Sequence, residues 1–225
     1  MKLEKMNDFF AARIDGYDEH MLKNVEGCAA AYTELSKYLP KNCKSLLDLG
    51  CGTGLELEKI FNSFPALRVT GIDLTAEMLE ELKRKYAGKE LNLICGDYFT
   101  VTFEGAPFSA AVSFQTMHHF VKKDKLQLYK KIYAALEQGG VYIECDYMVS
   151  SQAEEDALLN ENIKLRKEQN ISPEELYHFD IPCTVQNQIL LLEQAGFSEV
   201  REVFRQGNTT IIVAQKARKN KRRKK

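Results

Sequence analysis

The sequence predicts an α/β fold built on a doubly wound, mostly parallel β-sheet. Short apolar runs alternate with segments of helical periodicity through the centre of the chain, as in consecutive β-α units. A glycine-rich turn joins the first run to the next helical segment, and an acidic residue stands at or just after the end of each of the first three runs. A length of 225 residues favours one domain with elaborations.

The first three strands are defined by short apolar runs. Residues 45–49 (SLLDL) predict the first strand, and the helix after it ends before Pro65. Residues 67–73 predict the second strand, followed by a helix that Thr75 can cap. Residues 91–95 predict the third strand. In both helices apolar side chains recur every three or four residues, which indicates one buried face.

The next two strands continue the same alternation. Residues 108–114 (FSAAVSF) are mostly small and apolar, which is typical of a strand covered on both faces. A helix follows and is expected to end at Gly139 and Gly140, because glycine commonly terminates helices. Residues 141–147 predict the fifth strand.

After the fifth strand the alternation stops. Ser151 and Ser172 each begin a Ser-x-x-Glu sequence, which can satisfy the first N–H groups of a helix, so a helical insertion is expected over residues 151–183. Residues 184–195 predict a further helix. Two strands within residues 198–214 are expected to form an antiparallel edge and bring the sheet to seven strands.

Basic residues are concentrated at the end of the chain. Residues 216–225 hold eight Lys or Arg and no acid, so residues 1–215 carry 23 basic and 32 acidic side chains, a net charge of −9. Like charges this close repel one another, and the segment predicts a disordered tail with at most weak attraction to nucleic acid.

The six cysteines include no Cys-x-x-Cys pair, which argues against a structural zinc site. We expect reduced thiols and a cytoplasmic location. No apolar run approaches the roughly 18 residues that span a membrane, and no signal peptide is expected.

The glycine-rich turn, residues 47–54 (LDLGCGTG), is the most specific feature of the sequence. Glycine lets the backbone approach a ligand closely, although tight packing alone could also require it. The spacing is not the G-x-G-x-x-G of dinucleotide sites, and no Lys-Ser or Lys-Thr follows as in a P-loop. Asp73, at the end of the second strand, can accept both hydroxyls of a ribose. Asp97 and Tyr98 could hold an exocyclic amine beside an aromatic face.

Residues 48–54, Asp73, Asp97 and the glycine pair at 139–140 resemble the motifs of the class I S-adenosylmethionine-dependent methyltransferases. The resemblance covers roughly residues 40–150 and lacks only the proline that usually precedes the glycine pair. It implies a Rossmann-like fold, S-adenosylmethionine as the cofactor and S-adenosylhomocysteine as the product. The cofactor-binding residues that it implies are Asp48, Gly50, Cys51, Gly52 and Gly54 at the methionine end, Asp73 at the ribose, Leu74 and Met78 beside the adenine, Asp97 and Tyr98 at its amine and face, and Gln115 near the sulfonium.

The resemblance also implies a division of one methyltransferase domain, residues 1–215. Residues 1–40 are helical in pattern and could fold over the site. The expected parts are an N-terminal helical lid at 1–40, a cofactor-binding core at 41–150, the helical insertion at 151–183, and a C-terminal helix and strand pair at 184–215.

Two histidines and a tyrosine are the candidate catalytic residues. His118 and His119 follow the fourth strand, and histidine accepts protons near neutral pH. His119 is preferred, because the family's usual pattern has a histidine just before the position of Phe120; one of the pair is as readily a packed residue. Tyr17 lies in the segment that relatives fold as a lid, but a core aromatic residue fits equally well.

Glu144 and Asp146 are two residues apart on the fifth strand, so they share one face and could hold a cationic acceptor. A solvated or capping role is the simpler interpretation. The carboxylate ligands of magnesium-dependent relatives are not evident, and no metal is predicted.

The sequence therefore predicts an enzyme that transfers a methyl group from S-adenosylmethionine to a small-molecule acceptor by in-line displacement. We expect a monomer or homodimer. An RNA-modifying transferase is an alternative that the acidic body argues against. A non-catalytic interaction module would be expected to have lost the glycine turn or the ribose carboxylate. Use of a carboxylated cofactor would require a cation near the sulfonium, for which Arg13 and Arg205 are the candidates.

Overall fold

A seven-stranded sheet with helices on both faces confirms the predicted fold class, in a computed structural model that describes residues 1–218. The strands are β1 (Ser45–Leu49), β2 (Arg68–Asp73), β3 (Leu91–Cys95), β4 (Phe108–Phe114), β5 (Leu136–Tyr147), β6 (Ser198–Gln206) and β7 (Thr209–Gln215). The α-helices are α1 (Met6–Ala11), α2 (Tyr17–Lys23), α3 (Cys28–Leu35), α4 (Leu55–Ser63), α5 (Ala76–Lys85), α6 (Lys122–Ala135), α7 (Gln152–Glu168) and α8 (Val185–Gln194).

The strand order is β3-β2-β1-β4-β5-β7-β6. Strands β1 to β5 pair in parallel, whereas β7 runs antiparallel between β5 and β6. Leu49, near the carboxyl end of β1, pairs with Ile72 on one side and Ser113 on the other. The order of the strands reverses at β1 and β4, which is where open α/β sheets bind their ligands.

The two faces of the sheet carry separate apolar layers. Helices α6 and α8 cover one face with residues such as Ile132 and Leu192. Helices α3, α4 and α5 cover the other, with residues such as Leu35 and Ile60. Every residue of β4 is buried, as its run of small apolar side chains predicts.

Gly139 and Gly140 lie inside β5 and do not end a helix, so that prediction is wrong. Helix α6 ends at Ala135, and the glycine backbone pairs with Lys216: Gly139 N donates to Lys216 O, and Lys216 N donates to Gly140 O. The buried Lys216 ammonium donates to the carbonyls of Tyr133 (2.6 Å) and Leu136 (2.7 Å) at the end of the helix. The predicted disordered tail therefore begins with residues that the structure describes, 216–218, and residues 219–225 lie outside the described residues.

The insertion after β5 contains one helix, not the two that its capping sequences predict. Ser151 caps α7 by accepting a hydrogen bond from Glu154 N at 3.2 Å. Ser172 opens only a turn, because the chain just beyond it runs extended and Tyr177 pairs with Lys5 near the N-terminus.

The N-terminal segment and the insertion meet over the carboxyl edge of the sheet. Met6 N donates to Leu176 O, and His178 N donates to Glu4 O, each at 3.0 Å. Gly16 separates α1 from α2, so the predicted apolar stripe is divided between two short helices. Within residues 1–218, no helix is both long enough and apolar enough to cross a membrane.

Candidate functional site

The glycine-rich turn links β1 to α4 at the strand reversal. Its shape requires glycine at Gly50, where φ is +66°, and a Cβ would lie 2.6 Å from Oγ1 of Thr116. The backbone N–H groups of Gly50 and Cys51 both donate to Ile72 O. The turn is thus fixed against β2 and approached closely by the loop after β4.

We expect Gly50→Ala to lower the free energy of unfolding by about 3 kcal/mol. Alanine would have to adopt an unfavourable left-handed conformation, and its Cβ would clash with Thr116. Gly88→Ala is the matched control, since Gly88 also has a positive φ of +88° but a Cβ there meets nothing within 4 Å. The control should cost about 1 kcal/mol. Urea unfolding of both variants measures the difference; equal losses would show that contact with Thr116 is unimportant.

Asp73 ends β2 and connects the glycine turn to the start of the loop after β2. Its Oδ2 accepts a hydrogen bond from Gly52 N at 2.8 Å, and its Oδ1 accepts one from Thr75 N at 2.9 Å. Burial raises the pKa of Asp73, although these hydrogen bonds oppose the shift. Each carboxylate oxygen keeps further acceptor capacity toward the cleft, which suits a pair of vicinal hydroxyls.

Most of the predicted cofactor residues line one cleft at the carboxyl edge of the sheet. Those in its lining are Gly50, Gly52, Asp73, Leu74, Met78, Asp97, Tyr98 and Gln115. The cleft is narrow, with a volume of about 60 Å³, and Phe10 and Leu176 also belong to its lining.

Asp48, Cys51 and Gly54 do not line this cleft. Gly54 has a packing role, because a Cβ there would lie 3.0 Å from Leu82 and from Tyr86. Cys51 is buried. Asp48 is fully buried, and neither of its carboxylate oxygens has a hydrogen-bond partner among the described residues.

Two buried carboxyls, those of Asp48 and Glu56, lie on either side of the glycines of the turn in the sequence and close to each other in the fold. Burial, and then the nearby Glu56, raise the pKa of Asp48 well above its ordinary value, and burial raises the pKa of Glu56 to about 7. A cationic group bound near Asp48 and Glu56 would relieve the repulsion between their charged forms. Asp48 does not line the cleft, so its unpartnered carboxyl would favour the amino group of a methionine moiety from behind the glycine turn. Asp73 lines the cleft and fits a ribose, and together these residues suit S-adenosylmethionine.

The adenine side of the predicted site is formed by the loops after β3 and β4. Asp97 Oδ1 accepts a hydrogen bond from Phe99 N at 2.8 Å, and the hydroxyl of Tyr98 lies 3.0 Å from that of Thr116. Gln115 is a non-glycine residue with φ of +51°, a conformation that is often found at functional sites. Its Nε2 donates to Thr209 Oγ1 at 3.2 Å, so its amide is already oriented.

A second and larger cavity, of about 830 Å³, adjoins the cleft. Phe10, Tyr17, Gln115 and His119 line both, so the two spaces meet at these residues. Tyr17 is held there because the next residue, Asp18, accepts a hydrogen bond from Thr53 at 2.5 Å and also binds Lys85. Burial and the nearby Asp73 raise the pKa of Tyr17, so its phenol stays protonated.

The larger cavity contains both predicted histidines. His118 Nδ1 lies 2.5 Å from Asp146 Oδ1. Burial alone would lower the pKa of His118, but Asp146 and Asp180 raise it to about 9. Burial and the neighbouring His118 lower the pKa of His119. The pair therefore divides into one protonated and one neutral imidazole near pH 7.

His178 and Asp180 complete this cavity and were missed by the sequence analysis. His178 stacks on Phe9 with ring centroids 3.5 Å apart, and Asp180 faces His118 and His119. They lie about 60 residues beyond these histidines, in the insertion, with no local pattern that indicates a site.

Four other predicted groups are two buried carboxyls and two arginines, and of these only Arg13 lines the cavity. Glu144 and Asp146 are both buried, and neither lines it. Arg13 does line the cavity, but its guanidinium pairs with Glu4 at 3.1 Å and lies over the ring of Phe9. Arg205 is outside the lining and donates to backbone carbonyls.

Comparison with known proteins identifies the family of the chain. The family model of the methyltransferase domain matches residues 46–140. A carboxy-S-adenosyl-L-methionine synthase from Helicobacter pylori (strain HPAG1) is 31% identical over 196 residues, which cover 78% of this chain and 77% of the relative. A protein of the same name from Campylobacter jejuni subsp. doylei is 27% identical over 206 residues, covering 86% of this chain and 84% of the relative.

Solved structures match the fold over nearly the whole chain. A putative O-methyltransferase from Nostoc punctiforme superposes with a TM-score of 0.70 at 19% identity, covering 95% of this chain. Human N-acetylserotonin methyltransferase in complex with SAM gives a TM-score of 0.63 at 17% identity. This chain spans 62% and 55% of the length of those two proteins.

The sequence relatives, the domain match and the fold agree with one another. They confirm the predicted family, the prediction of an enzyme, and S-adenosylmethionine as the cofactor. The chain belongs to the class I S-adenosylmethionine-dependent methyltransferases.

Proposed function

We propose that the protein transfers a methyl group from S-adenosylmethionine to a small molecule bound in the 830 Å³ cavity. The observation that carries this proposal is the junction between the cleft and the cavity at Tyr17, Gln115 and His119. An acceptor in the cavity would reach the cleft there, under the cover of α1 and the insertion. The cavity has the volume of a small-molecule site.

The side chains at this junction suit an alignment mechanism. When bound, the cofactor supplies a methyl group on a positively charged sulfur, which is already an activated leaving group. Asp73 and Asp97 would orient the nucleoside, and Tyr17 would close the space above Gly52. Buried aromatic side chains would exclude water. His119, whose pKa burial lowers, could take a proton from an acceptor or bind an ion.

A second candidate function is the synthesis of a carboxylated form of S-adenosylmethionine. The names of the sequence relatives favour it, and so does Arg13 in the cavity lining. Against it, the Arg13 guanidinium already pairs with Glu4 and would have to leave that carboxylate to bind an acidic group. Arg205, the other candidate cation, lies outside the cavity lining, and methyl transfer is the function that we propose.

One experiment separates the two candidates. The purified protein is first titrated with S-adenosylmethionine and S-adenosylhomocysteine by calorimetry. It is then incubated with the cofactor and a library of small hydroxyl, thiol and amine compounds, together with small carboxylic acids that would be the source of the carboxyl group in the second candidate reaction. We expect binding of both ligands, and mass spectrometry should detect S-adenosylhomocysteine together with an acceptor heavier by one methylene unit. A carboxylated cofactor in place of a methylated acceptor would reject methyl transfer and support the second candidate.

A further inference from the structure

Three imidazoles converge on one carboxylate oxygen in the larger cavity. Asp180 Oδ1 lies 3.5 Å from His118 Nε2, 3.4 Å from His119 Nδ1 and 3.9 Å from His178 Nε2. This oxygen is shielded from solvent and has no hydrogen-bond partner among the described residues. The distances exceed those of good N–H···O hydrogen bonds. Hydrogen bonds within the cluster are therefore long, as is the contact between His119 Nδ1 and Phe179 O at 3.4 Å.

The spacing matches the ligands of a shared metal ion. Zinc binds imidazole nitrogens and carboxylate oxygens at about 2.0–2.2 Å, so two ligands of a tetrahedral ion lie about 3.4 Å apart. The two shorter contacts of Asp180 have this length. The ligand atoms of His118, His119 and Asp180 all lie within 4.8 Å of one another, so small side-chain rotations would bring them around one ion.

The second nitrogen of His118 supports the same interpretation. His118 Nδ1 lies 2.5 Å from Oδ1 of the buried Asp146, which also accepts a hydrogen bond from Tyr147 N at 3.0 Å. Metal-binding histidines generally donate their other N–H to a carboxylate in this way, which fixes the ring and its tautomer. His118 is thus held with Nε2 directed at Asp180, and a metal ion that binds there would displace the proton from Nε2 while Nδ1–H stays on Asp146.

The backbone also holds the three groups together. His118 and His119 lie on the 3-10 turn Met117–His119 directly after β4, and Ile181 N donates to His118 O at 2.7 Å. That hydrogen bond fixes the segment of the insertion that carries Asp180 against the turn. Asp180 lines the cavity, where its side chain is 41% exposed, so a further coordination position opens to the space for the acceptor.

We propose that His118 Nε2, His119 Nδ1 and Asp180 Oδ1 bind one divalent transition-metal ion of the zinc type. Two imidazoles and one carboxylate are a ligand set for such ions, and a position left for water or substrate is typical of catalytic sites. This proposal differs from the prediction of no metal, because residue spacing in the sequence does not place Asp180 beside the histidines.

The role of the ion rests on the function proposed above. A hydroxyl or thiol of the acceptor would bind the open position, and the ion would lower its pKa so that its proton is released to water. The oxygen or sulfur would then form a bond to the methyl carbon, while the methyl–sulfur bond of the cofactor breaks and its electron pair stays on that sulfur. His119 would serve as a ligand and not as the proton acceptor.

Metal binding is tested on the full-length protein without cofactor or acceptor. After treatment with a chelator, the protein is titrated with Zn²⁺ and with Co²⁺, followed by calorimetry and by visible absorption. We expect one ion per chain with a sub-micromolar Kd for Zn²⁺, and no comparable binding of Mg²⁺, which prefers oxygen ligands. His119→Ala and Asp180→Asn should each weaken Zn²⁺ binding by at least about 100-fold, and Asp146→Asn by about 10-fold to 100-fold.

His20→Ala is the matched control, because His20 is the fourth histidine of the chain and lines the same cavity outside the cluster. It should bind Zn²⁺ like the wild type. Thermal melting and circular dichroism establish that each variant is folded. Wild-type affinity in both ligand variants would overturn the proposal, and so would a sulfur-to-cobalt charge-transfer band, which would assign the ion to a cysteine.

The two proposals can fail separately. Metal binding without any methyl transfer would reject the proposed function and leave the ion site intact. Methyl transfer by a protein that binds no Zn²⁺ or Co²⁺ would reject the ion site and leave the proposed function intact.

Discussion

The Asp73→Ala variant is expected to bind S-adenosylhomocysteine about 100-fold more weakly than the wild-type protein. Hydrogen bonds to a charged acceptor contribute about 1.5–3 kcal/mol each, and the carboxylate is placed to accept from both ribose hydroxyls. A loss of about 3 kcal/mol corresponds to this factor. Gly52 N and Thr75 N also lose their acceptor, so the turn itself should become less ordered. Calorimetric titration at low temperature measures the change.

Two further variants separate ligand binding from folding. Asp124→Ala removes an exposed carboxylate from the first turn of α6 and should leave the affinity unchanged. Asp73→Asn retains one acceptor oxygen and should show an intermediate loss. Circular dichroism and melting curves establish that each protein is folded. Unchanged affinity in a folded Asp73→Ala protein would remove this carboxylate from the cofactor site.

The other large effect is expected in a buried polar network around Glu144, a residue of β5. Glu144 is fully buried and accepts hydrogen bonds from Gln188 Nε2 at 2.5 Å and from Tyr142 OH at 3.1 Å. Lys125 is 1% exposed, and its ammonium donates to Gln188 Oε1 and Cys183 Sγ. Burial raises the pKa of Glu144 to about 7, with Asp146 acting in the same direction and Lys125 opposing it.

Lys125→Met should lower the free energy of unfolding by about 3 kcal/mol at pH 8, because it removes a buried cation that stabilises the charged form of Glu144 while keeping most of the volume. The pKa of Glu144 is already above its ordinary value, so the native state binds more protons than the unfolded state and stability falls as the pH rises from about 4.5 through 7. Without Lys125 this pKa rises further. The loss should therefore be smaller at pH 5.5 than at pH 8.

Urea unfolding at the two pH values measures this dependence. Glu144→Gln in the Lys125→Met background should recover part of the loss at pH 8, because the amide cannot ionise, and the double-mutant cycle gives the coupling between the two side chains. A loss that is equal at pH 5.5 and pH 8, with no recovery in the double variant, would mean that Lys125 acts only through packing.

The sequence predicts elements well where the cause of the structure is local. The all-buried β4 follows from its small apolar side chains, and the Ser151 cap follows from one side chain three residues before a backbone N–H. Gly50 is predictable for the same reason, since a strand that turns sharply into a helix needs a positive φ there. These features depend on neighbours within a few residues.

Predictions fail where a distant segment competes with the local preference. The glycine pair at 139–140 predicts the end of a helix, but its backbone instead pairs with Lys216, more than 70 residues away, and belongs to β5. The Ser-x-x-Glu pattern at Ser172 predicts a second helix cap, but pairing between Tyr177 and the N-terminal segment holds the following chain extended. In both places backbone hydrogen bonds to remote partners outweigh a capping pattern of modest energy.

The chain by itself determined the fold class, the glycine turn, the carboxylates at the strand ends and therefore the family and its cofactor. Each of these depends on the order of residues along one β-α unit. Only the tertiary structure decided that Asp180 faces His118 and His119, and that a cavity for an acceptor adjoins the cofactor cleft. These features arise from folding the insertion and the N-terminal helices over the sheet, and residue spacing in the sequence carries no information about contacts between such distant segments.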